Sequence, residues 1–156
     1  MTPETGDMWE MFGHTDLIVV TTNAYITSTG RLAMGRGAAL EARTRCPGID
    51  KMFANFIRGQ CTSKWLYGLI VVQYGRQSVG AFQVKRHYAH NADPDIIGYS
   101  ASMLRDWVRQ TRCGRVDMNF PGIGYGKLDR ASVLELIAPV LPDQVHVWEK
   151  PAEKTS

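Results

Sequence analysis

The chain has 156 residues, 44% hydrophobic and 21% charged, a balance that suits one globular domain spanning 1–156 with a core large enough to fold alone. It holds no run of eighteen apolar residues and no charged segment followed by an apolar signal stretch, so neither a membrane span nor secretion is expected and the protein reads as soluble, intracellular and cytoplasmic. Lys and Arg exceed Asp and Glu by 18 to 15, a modest pull on anionic ligands that does not separate a nucleotide from a nucleic acid.

In chain order, residues 1–4 look loose. Leu17 to Thr21 is an apolar, β-branched run and a strand candidate. It leads into a glycine-rich loop, Asn23 to Ala39, with a short helix starting near Gly37. Pro47-Gly48 separates that helix from a second, in which Ile49, Met52, Phe53, Phe56 and Ile57 form one apolar stripe. Strands follow at Leu69 to Tyr74 and Val79 to Val84. A third helix, about Asp95 to Thr111, buries Ile97, Met103, Leu104, Trp107 and Val108. Then come a strand at Val116 to Phe120 and a second glycine-rich loop, Phe120 to Asp129. Val133, Leu134 and Ile137 mark a fourth helix, ended by Pro139. The last strand is Val145 to Glu149, and residues 151–156 look loose. This alternation argues for a three-layer α/β/α sandwich with a mixed, mainly parallel sheet.

Glycine lets a backbone turn sharply and approach a ligand closely, and successive N–H groups at a helix start cradle anions. Two such loops on neighbouring strands would clamp one diphosphate from both sides. Ligands of open α/β sheets sit outside the carboxyl ends of the strands, where both loops fall. Cys46, Cys61 and Cys113 lack zinc-ribbon or redox spacing and read as buried or idle thiols. His87-x-x-His90 offers too few ligands for a metal site, so an ordinary polar loop is expected there. Arg105, Arg109 and Arg112 share a helix face that is either a solvated surface or, together with Arg115, a contact for nucleic-acid phosphates. Trp65, Trp107 and Trp148 read as core. Tyr88 and Tyr125 either stack near a ligand or pack at the rim.

Taken together, Gly6-Asp7, the Val-Val-Thr-Thr-Asn run ending at Asn23, MGRGAAL at 34–40 and PGIGYG at 121–126 resemble a macrodomain, in order and approximate spacing. The first loop is most similar to the branch of terminal ADP-ribose protein glycohydrolase and of the antitoxin macrodomains that remove ADP-ribose from DNA. That branch carries a Met-Gly-x-Gly-x-Ala loop, matched by Met34, Gly35, Arg36, Gly37 and Ala39. It also carries a Thr-Lys-Arg-His-aromatic segment, matched by Lys85, Arg86, His87 and Tyr88, with Val84 in place of the threonine.

The resemblance implies an ADP-ribose site. Asp7 would accept from the adenine amino group beside the Met8 backbone, and Asn23 would face the distal ribose. Gly35, Arg36, Gly37 and Ala38 would hold phosphate and distal ribose from one side, and Gly124, Tyr125, Gly126 and Lys127 would close from the other. Leu128 stands near where many macrodomains place an aromatic beside that ribose. Lys85 would attack the anomeric carbon, which requires an uncharged amine whose pKa is lowered by burial or by a cation such as Arg86 or His87. Beside that role stands a plainer one, a strand-end lysine that is solvated or attracts phosphate. Asp129 is a candidate to assist release and equally a helix N-cap. The expected activity is hydrolysis of ADP-ribosyl conjugates by a monomer, with no metal or cofactor. The alternatives are a non-catalytic ADP-ribose-binding module and a phosphatase acting on ADP-ribose 1″-phosphate.

Overall fold

The computed structural model describes residues 1–60 and 65–151; Cys61 and residues 152–156 lie outside the described part. The strands are β1 (Thr2–Thr5), β2 (Leu17–Thr22), β3 (Leu69–Tyr74), β4 (Gln77–Gln83), β5 (Val116–Asn119) and β6 (Val145–Glu149). The helices are α1 (Gly37–Arg45), α2 (Ile49–Gln60), α3 (Pro94–Thr111) and α4 (Arg130–Ile137). The six strands form one sheet in the order β1-β6-β5-β2-β4-β3, parallel throughout except for β3, which pairs antiparallel with β4.

Alternation along the central strands builds two cores. Leu17 and Val19 of β2 face α3 and α4, together with Phe82, Val84, Val116 and Met118. Ile18 and Val20 face α1, α2 and a short 3-10 turn at Met8–Met11, together with Val79 and Ala81. All four β2 residues are fully buried, as a central strand covered on both faces requires. The α2 stripe behaves as expected, with Ile49, Phe53 and Ile57 buried and Met52 and Phe56 packed against that core.

The segment expected to be loose at 1–4 is instead an edge strand, with Thr2 to Thr5 in register with His146 to Glu149 of β6. An edge strand pairs on one side only, so it tolerates Pro3 and needs no apolar run. Thr2 Oγ1 donates to Asp143 O at 2.7 Å, and Glu4 Oε1 lies 2.8 Å from His146 Nδ1. Parallel pairing thereby carries the chain to Gly6 and Asp7 on the edge of the sheet where β2, β4 and β5 also end.

Behind that edge lies an ion pair between a buried carboxylate and a partly exposed guanidinium. The Asp117 carboxylate is wholly buried and accepts from Arg115 Nε and Nη2, both at 2.9 Å, and from Trp148 Nε1 at 2.8 Å. Burial pushes its pKa up, but the bonds from Arg115, Thr15 and Trp148 outweigh this and hold it below the usual aspartate value. Such a group adds stability above the unfolded-state pKa, and that contribution is lost as pH falls through the folded one. Arg115→Leu should therefore cost about 3 kcal/mol at pH 7, by leaving a buried carboxylate without its partner. In denaturant melts the deficit should shrink as the pH is lowered into and below the aspartate range; a deficit independent of pH would show that the carboxylate is not its source.

Candidate functional site

Because five strands run parallel, β1, β2, β4 and β5 release their following loops on one edge of the sheet. After β2, the loop is pegged from below by Leu32 and Met34, each 1% exposed, while Gly35, Arg36 and Gly37 stand outside. Asn23, expected to face a ribose, is turned inward. It is 6% exposed, its Nδ2 donates to Ala33 O at 3.0 Å, and its Oδ1 accepts from Tyr25 N at 2.9 Å. Its carbonyl accepts from the Tyr67 hydroxyl, which also bonds Thr22 Oγ1. The side chain thus fixes the shape of the loop.

No side chain caps the start of α1, where Arg36 is the N-cap in extended conformation. The α3 and α4 starts, in contrast, are closed by Asp93 and Asp129. The N–H groups of Gly37 and Ala38, at the positive end of the helix, are left without a side-chain cap, an arrangement that suits an anion. The second loop holds a 3-10 turn at Gly124–Gly126, with Gly122, Gly124 and Lys127 all at positive φ. A Cβ at Gly122 would lie 2.8 Å from Ile97 Cδ1, so glycine is needed there for close packing. Leu128 packs on the same core.

The loops meet. The Arg36 guanidinium lies 5.3 Å from the centre of the Tyr125 ring, which bridges the first loop to the second. Ala92 N donates to Gly126 O at 2.9 Å, tying the second loop to the segment that follows β4. Lys85 opens that segment, half-buried, with Nζ 3.3 Å from Tyr88 O and 3.2 Å from His90 O. Burial, and then the charge of Arg36, hold the Lys85 amine below the usual lysine pKa. The acting cation is therefore not Arg86, whose guanidinium is directed to Asp93 at 3.9 Å.

Asp129 is the α4 N-cap, accepting from both Ser132 N and Ser132 Oγ at 3.0 Å. At the β1 end, Asp7 caps the 3-10 turn by accepting from Trp9 N at 3.0 Å, and Met8 is buried. These two line a small recess with Ala38, Glu41, Asn119, Trp148 and Lys150. Trp148 was legible only as core, and nothing in the sequence spacing ties it to Asp7 across some 140 residues; parallel pairing of β1 with β6 does. Tyr25 was likewise missed; its ring packs edge-on against His87 at 4.7 Å and Tyr88 at 5.2 Å. Tyr88 and Tyr125 stand exposed at this rim, and Trp65, read as core, is also exposed.

The arginine stripe is not part of this constellation. Asp93 N at the start of α3 bonds Val84 O beside Lys85, whereas its other end leads to Gly114, bonded to Asp16 just before β2. An 18-residue helix is about 27 Å long. Arg109 and Arg112 therefore lie at the far end of the molecule from the amine, while Arg105 pairs with Asp106 at 3.2 Å. Cys46 and Cys113 are buried thiols whose pKa is raised chiefly by that burial.

No protein-family model and no curated protein matches the sequence. Solved structures do share the fold. The macrodomain of Thermus aquaticus DarG superposes with a TM-score of 0.75 at 20% identity, over 94% of this chain and 95% of that one. For the Mycobacterium tuberculosis DarG macrodomain the TM-score is 0.76 at 23% identity, over 97% of each chain. Thermosipho africanus DarTG in complex with ADP-ribose matches all of this chain with 43% of its own length, at TM-score 0.76 and 17% identity. The fold is that of a macrodomain. Among the described residues, no helix is long and apolar enough to cross a membrane.

The two loop glycines should respond differently to a side chain. A Cβ at Gly35 meets nothing within 4 Å at ordinary φ, so Gly35→Val should leave the thermal midpoint nearly unchanged. Gly124 sits at φ +66, where an L-residue is strained, so Gly124→Val should cost about 1–2 kcal/mol. Equal midpoints for the two variants in a calorimetric scan would contradict this geometry.

Proposed function

We propose that this protein binds ADP-ribose across the two glycine loops and hydrolyses ADP-ribosyl conjugates through Lys85. The observation that carries the reading is the placement of the partly buried Lys85 amine on the same edge as the uncapped α1 start and the second glycine loop, with burial and the charge of Arg36 both lowering its pKa. In this reading Asp7 and the Met8 backbone take the adenine in the recess by Trp148. Gly35, Arg36, Gly37 and Ala38 hold the diphosphate from one side; Gly124, Tyr125, Gly126 and Lys127 hold it from the other. The shared fold with a DarTG structure that contains ADP-ribose supports the choice of ligand.

In the reaction, the Lys85 lone pair forms a bond to the anomeric carbon of the distal ribose. The bond to the leaving group breaks, and the departing base or carboxylate leaves with the electron pair. Water then displaces the amine and frees ADP-ribose. The chemistry uses an amine and water and draws on no metal or cofactor. The exposed rings of Tyr25 and Tyr88, with the half-buried His87 between them, favour a planar, base-like leaving group, since flat rings stack. Faster release from base-linked than from carboxylate-linked conjugates is the expected result.

One observation favours a second reading, a binding module without turnover: the Asp129 carboxylate is engaged in the α4 cap. Calorimetry separates the two. Lys85→Ala should bind ADP-ribose within about tenfold of the parent protein yet release it from conjugates about a thousandfold more slowly. Binding without any release by the parent protein would select the module. Because the reactive form is the neutral amine, the rate should rise with pH through the Lys85 pKa and level off below the ordinary lysine range. Arg36→Gln removes a charge that lowers that pKa, so the rise should move to higher pH and the neutral-pH rate should fall. A profile unmoved by Arg36→Gln would count against electrostatic tuning of the amine.

A further inference from the structure

The segment after Lys85 folds back on the lysine's own head. Nζ donates to two backbone acceptors, Tyr88 O at 3.3 Å and His90 O at 3.2 Å. A neutral amine carries two N–H bonds and one lone pair. If both carbonyls take an N–H, the lone pair is the one direction left, and it points away from the segment that supplies them. An ammonium has a third N–H, and its charge would add to that of Arg36. The two carbonyls therefore fix where the amine head sits, provided that residues 87–90 keep their turn; as acceptors they favour the ammonium, so it is burial and Arg36 that hold the pKa down.

A single side chain holds that turn. His87 Nδ1 accepts from Ala89 N at 3.0 Å, the same i to i+2 bond that an Asx turn makes, and His87 O accepts from His90 N at 3.1 Å. The imidazole is wedged in place by Tyr25 at 4.7 Å, Tyr88 at 4.2 Å and His90 at 5.3 Å between ring centres. Among the described residues, Arg36 acts on the amine by charge, and His87, His90 and the two tyrosines make up the ring cluster at this turn; Arg86 lies 3.9 Å from Asp93. We infer that His87 is a positioning residue for Lys85: by capping the 87–90 turn through Nδ1, it aims the carbonyls of Tyr88 and His90 at the two N–H bonds of the amine and leaves its lone pair facing the cleft. The inference rests on Lys85 as the nucleophile.

The test reads the amine directly and needs no turnover. The full chain is labelled briefly with acetic anhydride across a pH series, and the rate at Lys85 is followed by peptide mass spectrometry, with the exposed Lys51 as internal reference. Three variants divide the functions of the imidazole. His87→Ala removes acceptor and ring, His87→Phe keeps a ring without the acceptor, and His87→Asn keeps an acceptor without the ring. The parent protein and His87→Asn should label Lys85 fast at neutral pH. His87→Ala and His87→Phe should fall about tenfold, to the rate of Lys51, as the freed amine returns to solvent. Circular dichroism melts confirm that each variant is folded. Any other pattern overturns the inference, above all fast labelling in His87→Phe, which would assign the effect to packing. A failed hydrolysis reading would show separately, as absence of ADP-ribose release from a parent protein whose Lys85 still labels fast.

Discussion

The site depends on one constraint, the parallel run of β1, β6, β5, β2 and β4. Parallel strands deliver every carboxyl end to the same edge, so residues as distant as Asp7, Arg36, Lys85 and Tyr125 come together without any loop having to travel far. The two cores above and below keep that edge rigid. β2 matters most in this, because it is buried on both faces and the first glycine loop grows directly from its end. Were β2 to shift by one residue, both of its faces would exchange cores and the loop would leave the edge.

On that frame, most of the polar side chains around the edge are engaged in holding backbone. Asn23 closes the first loop, Asp7 caps the 3-10 turn, Asp93 caps α3 and Asp129 caps α4. Asp117 anchors Trp148 from beneath. Under the proposed function, the groups left for binding are main-chain N–H donors at the α1 start and at the front of the second loop, since those of Gly126, Lys127 and Leu128 bond to carbonyls of their own loop. In the same proposal the group for chemistry is the Lys85 amine. Arg36 belongs to both sets, reaching Tyr125 on the facing loop and disfavouring the charged form of Lys85.

The sequence was most legible where hydrophobic periodicity is strong. β3 and β6 stand at their expected bounds, and β2, β4, β5 and α3 differ by one or two residues at their ends. The glycine loops were legible because glycine marks positive φ, as at Gly37, Gly122 and Gly124. What stayed hidden is set by register and rotamer. β1 has no apolar signature because an edge strand needs none, and with it went the link between Asp7 and Trp148. Asn23 and a ribose-facing asparagine look the same in sequence; only the bonds to Ala33 and Tyr25 show which way its amide points. The cation beside Lys85 was sought among its chain neighbours, but the folded chain places Arg36 there, 49 positions away. The residue type of Trp65 points to the core, but it sits at positive φ outside the regular elements and is exposed.

The proposed reaction turns on Lys85, a partly buried amine whose pKa is lowered by that burial and by Arg36, on the edge that also carries the uncapped α1 start. The most direct measurement is chemical trapping. Protein is incubated with an ADP-ribosyl conjugate and cyanoborohydride, which delivers hydride to an imine between the amine and the opened sugar, and the peptides are then mapped by mass spectrometry. An ADP-ribosyl adduct on Lys85 and on no other lysine is the expected result. Release of ADP-ribose with Lys85 unmodified would contradict it.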